Sequence, residues 1–355
     1  MATTNTATKS LAITRSTGAS RIGAVVFLII LVGLITMPWW AGRADLRTMT
    51  EFLYVLALAQ MWNLLAGYGG LVSVGQQGFI GIGAYALVVF SLHAGVNVFV
   101  AVLLGGLVAA LVAIPTAAIV FRLRGAYFAI GTWVVAEVFR LLLANTSWLG
   151  GGSGVSITSA VKGIPRFWRE SITLWIAVAI GAGSIVLVYL LLRSRYGLAL
   201  TAVRDSEPAS ESLGVRVQRV KWGVYIASAF GCGLAGGLIF VTKLRISPDA
   251  AFTIDWTAIM FFVVVIGGIG TIEGPIIGAL IYFLLRGLLA DYGSWYLIVL
   301  GLIAVVLMLK APKGIWGMIS DRFDLRFFPV QRRVRFGEFD KTKSDGLSPD
   351  EEGLA

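Results

Sequence analysis

The chain has one cysteine, Cys232, and one histidine, His93, among 355 residues. A disulfide needs two cysteines, and a zinc site draws most of its ligands from Cys and His, so the chain can assemble neither from these two residues. Both read as packing or loop residues, and no metal ligand set is expected. The sequence also lacks GxxxxGK[ST], the glycine-rich loop that cradles nucleotide phosphates. If ATP drives this protein, another polypeptide binds it together with its Mg, and no cofactor is expected in this chain. Charge is scarce as well: Asp, Glu, Lys and Arg make up 14% of the residues, against about a quarter in a soluble domain.

Apolar residues fill that space, at 57% of the chain with a mean hydropathy of +0.85. This composition predicts an all-α polytopic membrane protein. Apolar runs occupy 22–40, 51–66, 71–92, 98–121, 126–144, 172–192, 224–241, 256–266, 275–289 and 295–309. Several fall short of the roughly 20 residues that cross a bilayer, which predicts about 8–10 transmembrane helices with broken or re-entrant segments among them. The stretch 256–289, interrupted at GGIGTIEGP, is the clearest break. Trp39 and Trp40 mark an interface, and a cleaved signal peptide is disfavoured because further spans follow at once.

Three regions result. Residues 1–21, rich in Thr and Ser, form a disordered N-terminal tail. Residues 22–310 form the membrane domain. Residues 311–355 begin with APKGIWGMISDRF, an interfacial amphipathic helix with Trp316 and Ile319 toward lipid, and continue as a disordered tail. The net charge of +10 does not point to nucleic acid, because the basic residues lie in short loops between apolar runs and not along one face. Placing both termini in the cytoplasm gathers most of them there: the N-tail, Arg122 and Arg124, the loop from Arg193 to Lys221, and the chain from Lys310 onward.

One long polar interruption stands out, GLALTAVRDSEPASESLGVRVQRVK at 197–221. Within it Pro208 can fill the first helical position and Gly214 can close the C-terminus in the left-handed conformation, which predicts a helix from Pro208 to Leu213. Two turns are unstable alone in water, so the helix needs a surface, and Ala209 with Leu213 offers a small apolar edge. Glu207 and Glu211 form an acidic edge, with Arg204, Arg216, Arg219 and Lys221 around them. A solvated loop whose charges only fix topology is the other reading.

Glycine is concentrated in two places. GYGGLVSVGQQGFIGIGAY at 67–85 contains Gly67, Gly70, Gly75 and Gly81, and GGIGTIEGPIIGALIY at 267–282 contains Gly270, Gly274 and Gly278, spaced to share one helix face. In a membrane such glycines let backbones approach closely, or let a helix break where it lines a cavity. The two segments read as a weak internal repeat whose breaks face each other across a pathway, with tight packing alone as the alternative. Polar groups in the apolar runs are the pathway candidates: Ser73, Gln76, Gln77, Thr132, Glu137, Arg140, Thr271 and Glu273. Glu137 and Arg140, at i and i+3, can neutralise one another. The segment 145–171 is the longest piece on the outer side, and its GGGSG, with Gly151, Gly152, Ser153 and Gly154, reads from its residues as a flexible link.

Several of these segments resemble the permeases of branched-chain amino-acid-type ABC importers, the LivM and LivH family, and the overall pattern is LivM-like. Residues 197–214 are similar to that family's GRALxAVRENExAAESLGI, with Leu198, Ser206, Pro208 and Ser210 as departures. Residues 67–85 are similar to GYxGxxSxGxxxFxGxGAY, with Gln76 where many members carry His. Ala136, Glu137 and Arg140 match an Ala-Glu-x-x-Arg, and 150–154 resembles a TGGSxG turn with Gly150 in place of Thr.

The resemblance covers about residues 48–320. It implies a permease subunit of an ATP-driven importer in a bacterial inner membrane, paired with a LivH-like second permease. Two cytoplasmic ATPase subunits would dock on coupling helices built here from Arg204, Glu207, Pro208, Ala209, Glu211, Leu213 and Gly214. An extracytoplasmic binding protein would deliver branched-chain amino acids or a related small polar solute at the outer mouth; urea, amides and aromatic acids fit the same architecture. The alternative is a self-contained secondary transporter with Glu137, Arg140 and Glu273 as a proton or ion relay. An intramembrane enzyme lacks the His, Cys or metal cluster it would need.

Overall fold

The computed structural model describes residues 11–14, 18–289, 295–311, 313–323, 327–328 and 333–336. Helix dominates, and in lipid a helix satisfies its backbone groups within its own segment. In chain order the helices are α1 (Gly18–Trp40), α2 (Arg43–Asn63), α3 (Gln76–Val88), α4 (Val98–Val120), α5 (Ala126–Ala144), α6 (Arg166–Arg193) and α7 (Arg195–Asp205). Then come α8 (Glu207–Ser212), α9 (Val217–Lys243), α10 (Pro248–Ala251), α11 (Asp255–Gly267), α12 (Glu273–Leu289), α13 (Trp295–Lys310) and α14 (Gly314–Phe323). Among the described residues, eight helical stretches are long and apolar enough to cross a membrane.

The two most buried spans, α2 and α9, form the middle of the bundle, and α3 and α4 pack on α9. Glycine sets that packing distance. A Cβ on Gly105 would lie 2.7 Å from the Gly83 carbonyl oxygen, and one on Gly83 would collide with the backbone of Gly233. Around this centre α1 and α13 expose apolar side chains such as Leu28, Ile29, Ile298 and Leu302, the surface that lipid solvates.

Helix α11 alone has 13 residues, about 20 Å at 1.5 Å per residue, and reaches a spanning length only together with α10, over Pro248–Gly267. It turns at 268–272 into α12, which packs back against it. Near this turn α2 ends in a widened π-helical stretch, Leu64–Tyr68, followed by an irregular 69–75. Both interruptions therefore sit on the face that carries α7 and α8. The opposite face carries the α1–α2 turn, the connection 145–165 and α10. There β2 (Val155–Ser156) pairs antiparallel with β3 (Arg245–Ile246).

Several expectations shift. Helix α7 occupies residues assigned to loop: the Ser194 hydroxyl accepts from the Tyr196 N–H, and Leu200 and Val203, three apart, are buried. The outer connection is shorter than 145–171 because α6 starts at Arg166, and α9 likewise takes 217–221 from the polar loop. Trp316 does not face lipid. It is 6% exposed and stacks on Phe327 at 5.6 Å, because Gly314 lets α14 fold against the backbone of Gly268. The tails expected to be disordered contribute a short antiparallel pair, β1 (Leu11–Thr14) with β4 (Arg333–Phe336); the rest of residues 1–17 and 324–355, except 327–328, lies outside the described residues.

Candidate functional site

Helix α8 begins one residue earlier than Pro208. The Ser206 hydroxyl accepts from the Ala209 N–H at 3.4 Å, so Glu207 is the first helical residue and Pro208 the second. Gly214 closes it at φ 80°. Pro208, Ala209, Glu211 and Leu213 are exposed, Leu213 at 81%, while Ser210 faces inward. Lys221 on α9 pairs with Glu207 and holds the helix in place, so the acidic edge formed by Glu207 and Glu211 is half neutralised. Tyr196 and Leu198 on α7 are also exposed. This face is polar except for a few apolar side chains that no described residue covers.

Beneath α8, Arg204 lies across Gly70, whose φ is +68° and where a Cβ would sit 3.2 Å from Arg204 Cγ. Its Nη1 donates to the Gly67 carbonyl at 3.2 Å, and its Nε and Nη2 donate to Asp205 at 3.1 Å. The two glycine breaks touch: a Cβ on Gly67 would lie 2.6 Å from the Gly270 nitrogen. They face each other as a repeat would place them, and at Gly67 and Gly270 backbone meets backbone. Gly270 also leaves the face expected to unite it with Gly274 and Gly278. It sits in the turn at φ 76°, whereas Gly274 and Gly278 are on α12 against Gly268 and Val263 of the α11 side.

Residues not singled out in the sequence hold the second break. Asn63, fully buried on α2, accepts from the Gly270 N–H at 2.8 Å and donates to the Thr271 carbonyl at 2.8 Å. One turn away, Gln60 donates to the Ile272 carbonyl at 2.7 Å. Turns leave backbone groups without partners in a medium that supplies no water, and these two amides fill that need. Their signal was present as polar residues at i and i+3 in an otherwise apolar run. The Thr271 hydroxyl accepts from the Gly274 N–H at 3.0 Å, capping α12. Glu273 accepts from the backbone N–H groups of Phe327 and Phe328 at 3.1 and 3.0 Å, tying the segment after α14 to the same turn.

Ser73, Gln76, Gln77 and Thr132 are all buried within the chain. The Ser73 carbonyl accepts from Trp62 at 2.9 Å, and Thr132 accepts from the Val74 N–H at 3.1 Å. Gln77 pairs with Thr257, and the Gln76 carbonyl oxygen lies 3.5 Å from the Cys232 sulfur. Gly75 packs on Thr132 and Gly81 on Phe252. Glu137 and Arg140 sit instead on the half-exposed side of α5, near the opposite face. Their guanidinium–carboxylate contact is 2.6 Å, and Arg140 reaches Asp249 of α10 at 2.6 Å. They are thus at the other end of the bundle from Glu273, and the structure does not assemble the three into a relay. On that face Gly150, Gly151 and Gly154 have positive φ, and Gly154 lies directly against Ile246. Arg245 donates to the Ser153 carbonyl at 3.3 Å, so Gly151, Gly152, Ser153 and Gly154 are anchored to β3.

A bundle with eight helical stretches long enough to span, paired helix breaks on one face and a short exposed helix beside them, defines the class: a polytopic helical membrane protein. The chain belongs to the family described as the branched-chain amino acid transport system permease component, whose model matches residues 45–309. It is a permease component of an ABC importer, a transport subunit and not an enzyme, and a multi-pass membrane protein.

The chain is similar to the high-affinity branched-chain amino acid transport system permease protein LivM of Escherichia coli, 29% identical over 86% of this chain and 78% of that one. The LivM protein of Salmonella typhimurium is 30% identical over the same shares. A nucleoside ABC transporter permease protein, NupC of Lactococcus lactis, is 26% identical over 52% of this chain and 62% of that one. No solved structure matches. Family membership displaces the self-contained secondary transporter.

Proposed function

We propose that this chain is one of two membrane subunits enclosing the pathway of an importer for branched-chain amino acids or a related small polar solute. A LivH-like permease is the second, two ATPase subunits sit beneath, and an extracytoplasmic binding protein delivers the solute near 150–154. The membrane is the bacterial inner membrane, with both termini and α8 on the cytoplasmic side, the side to which the basic loops assign them. Helix α8 is the docking element. An ATPase cleft that grips Leu213 and Ala209 moves α8, and Arg204 carries that movement to the breaks at 67–70 and 268–272. The relatives named LivM support the amino-acid substrate.

The observation that carries this reading is the bare Leu213 on a helix whose neighbouring Arg204 bonds the helix break. The test uses the complex purified through a tag on this chain and reconstituted in proteoliposomes with its binding protein. ATP inside the lumen-equivalent cytoplasmic side should drive uptake of radiolabelled leucine, and a proton gradient alone should not. Uptake by the isolated chain under a proton gradient would overturn the assignment.

A further inference from the structure

On the face opposite α8, the first turns of α2 and α6 and the last turn of α9 surround a cavity of about 230 Å³. Five charged residues line it: Arg47, Glu51, Arg169, Glu170 and Lys243. Both carboxylates are engaged by arginines from outside the lining, Glu51 by Arg286 at 2.9 Å and Glu170 by Arg166 at 3.0 Å. Among the described residues none of the three lining cations makes an ion pair within 4 Å, although Lys243 feels the charge of Glu51. Lys243 rests over the Trp256 ring at 4.8 Å and the Phe240 ring at 5.7 Å. With Glu51 and Glu170 each matched by an arginine from outside the lining, the cavity and these partners keep a surplus of positive charge from Arg47, Arg169 and Lys243 that an anion would offset.

The depth of the cavity identifies that anion. Trp39 and Trp40 end α1 just before Arg43 opens α2, and Phe167 and Trp168 immediately precede Arg169; all four are exposed. The Trp39 and Trp175 rings are 5.9 Å apart and the Trp168 and Trp175 rings 6.5 Å, so the aromatics of α1 and α6 form one cluster next to Arg169 in the chain. Exposed tryptophans of a membrane protein sit at the level of the lipid headgroups. A cationic cavity at that level faces phosphate oxygens. Its volume is far more than one water needs.

We propose that this cavity binds the phosphate of an anionic phospholipid headgroup, in the leaflet on the side away from α8. Arg47 and Arg169 would meet the phosphate oxygens and Lys243 the headgroup side, pinning α2, α6 and α9 together through the lipid.

The test is native mass spectrometry of the full-length complex in detergent, with phosphatidylglycerol titrated in. Wild type should retain the lipid, and Arg169→Gln and Lys243→Met should each weaken it by roughly fivefold, the double variant by more than about tenfold. Arg219→Gln, a basic residue on the α8 face, should bind as wild type does. Equal retention by all variants overturns the proposal. If a variant fails to assemble, competition on wild type decides the matter. Displacement of the lipid by inorganic phosphate at equal concentration would make this a site for free anions, and failure of phosphatidylglycerol to bind in preference to phosphatidylcholine would remove the anionic headgroup. Variants that keep the lipid but lose stimulation by the binding protein would reassign the cavity to protein docking. Each of these three results overturns the lipid assignment without touching the transport reading.

Discussion

Arg204 Nη1 donates to the carbonyl of Gly67, 137 residues earlier, at 3.2 Å. The carbonyl is available because α2 widens into a π-helical stretch at Leu64–Tyr68 and then stops, leaving its last acceptors without helical donors. The arginine is placed because α7 runs to Asp205 and stops two residues before α8 begins. Arg204 therefore ties the end of α7, next to α8, directly to the break. The break in turn rests on Gly270, so both interruptions share one contact.

Replacing Arg204 by Gln should uncouple the machine. A hydrogen bond to a charged group contributes about 1.5–3 kcal/mol, so leucine uptake should fall roughly tenfold or more while basal ATPase activity is kept. Arg204→Lys keeps the charge but loses the planar fork, and should recover only part of the uptake. Wild-type uptake in both variants would show that the bond is incidental to transport.

Leu213→Asp examines the other end of the link. At 81% exposure the side chain contributes little to folding, and surface substitutions usually change stability by less than about 0.5 kcal/mol. The variant should insert and purify normally. In an apolar cleft of the ATPase, however, an ionised carboxylate is costly, so substrate-stimulated ATPase activity should drop to the basal rate. Undiminished stimulation would place the docking surface elsewhere.

The turn at 268–272 depends on two amides of α2. Asn63→Ala orphans the Gly270 N–H and the Thr271 carbonyl together, at about 1–3 kcal/mol for each buried group. Gln60→Ala orphans one carbonyl, so its cost should be about half. Thermal unfolding in detergent should rank wild type above Gln60→Ala and Gln60→Ala above Asn63→Ala. The reverse order would mean that water reaches the turn and replaces Asn63. Gly274→Leu tests the same turn by volume: its Cβ would press on the Gly268 carbonyl, so uptake should fall with it, and normal uptake would detach the turn from transport.

The spans were legible because lipid imposes a simple rule: the apolar runs 98–121, 126–144 and 295–309 match α4, α5 and α13 to within a residue. Runs that end in polar turns were read too short. Arg43, Arg166 and Val217 start helices well outside their apolar cores: Asp45 accepts from the Gly42 N–H at the start of α2, and interfacial aromatics, Phe167 and Trp168 on α6 and Trp222 on α9, lie near the other two starts. Helix α7 was hidden for the same reason, its buried face being only Gly197, Leu200 and Val203. Glycine marked both breaks, yet a glycine allows either a cavity or close contact, and hydropathy cannot distinguish them. Asn63 was missed because one amide in an apolar run gives no hint of which backbone it will satisfy.

The ion pair on α5 presents the opposite case, in which the sequence showed the partners and left their purpose open. Arg140 bonds Glu137 on its own helix and Asp249 on α10, so it fastens α5 to the segment after β3. If that is its work, charge matters only as a match. Arg140→Met should strand two carboxylates and lower stability, by less than the roughly 3–5 kcal/mol of a fully buried pair because this one is partly exposed. Glu137→Gln with Arg140→Met should recover part of that loss, a coupling that a double-mutant cycle on thermal unfolding resolves. Uptake should follow stability across all three variants. An uptake loss in Glu137→Gln that exceeds its stability loss, and that the second substitution fails to relieve, would assign Glu137 to the solute and not to the scaffold.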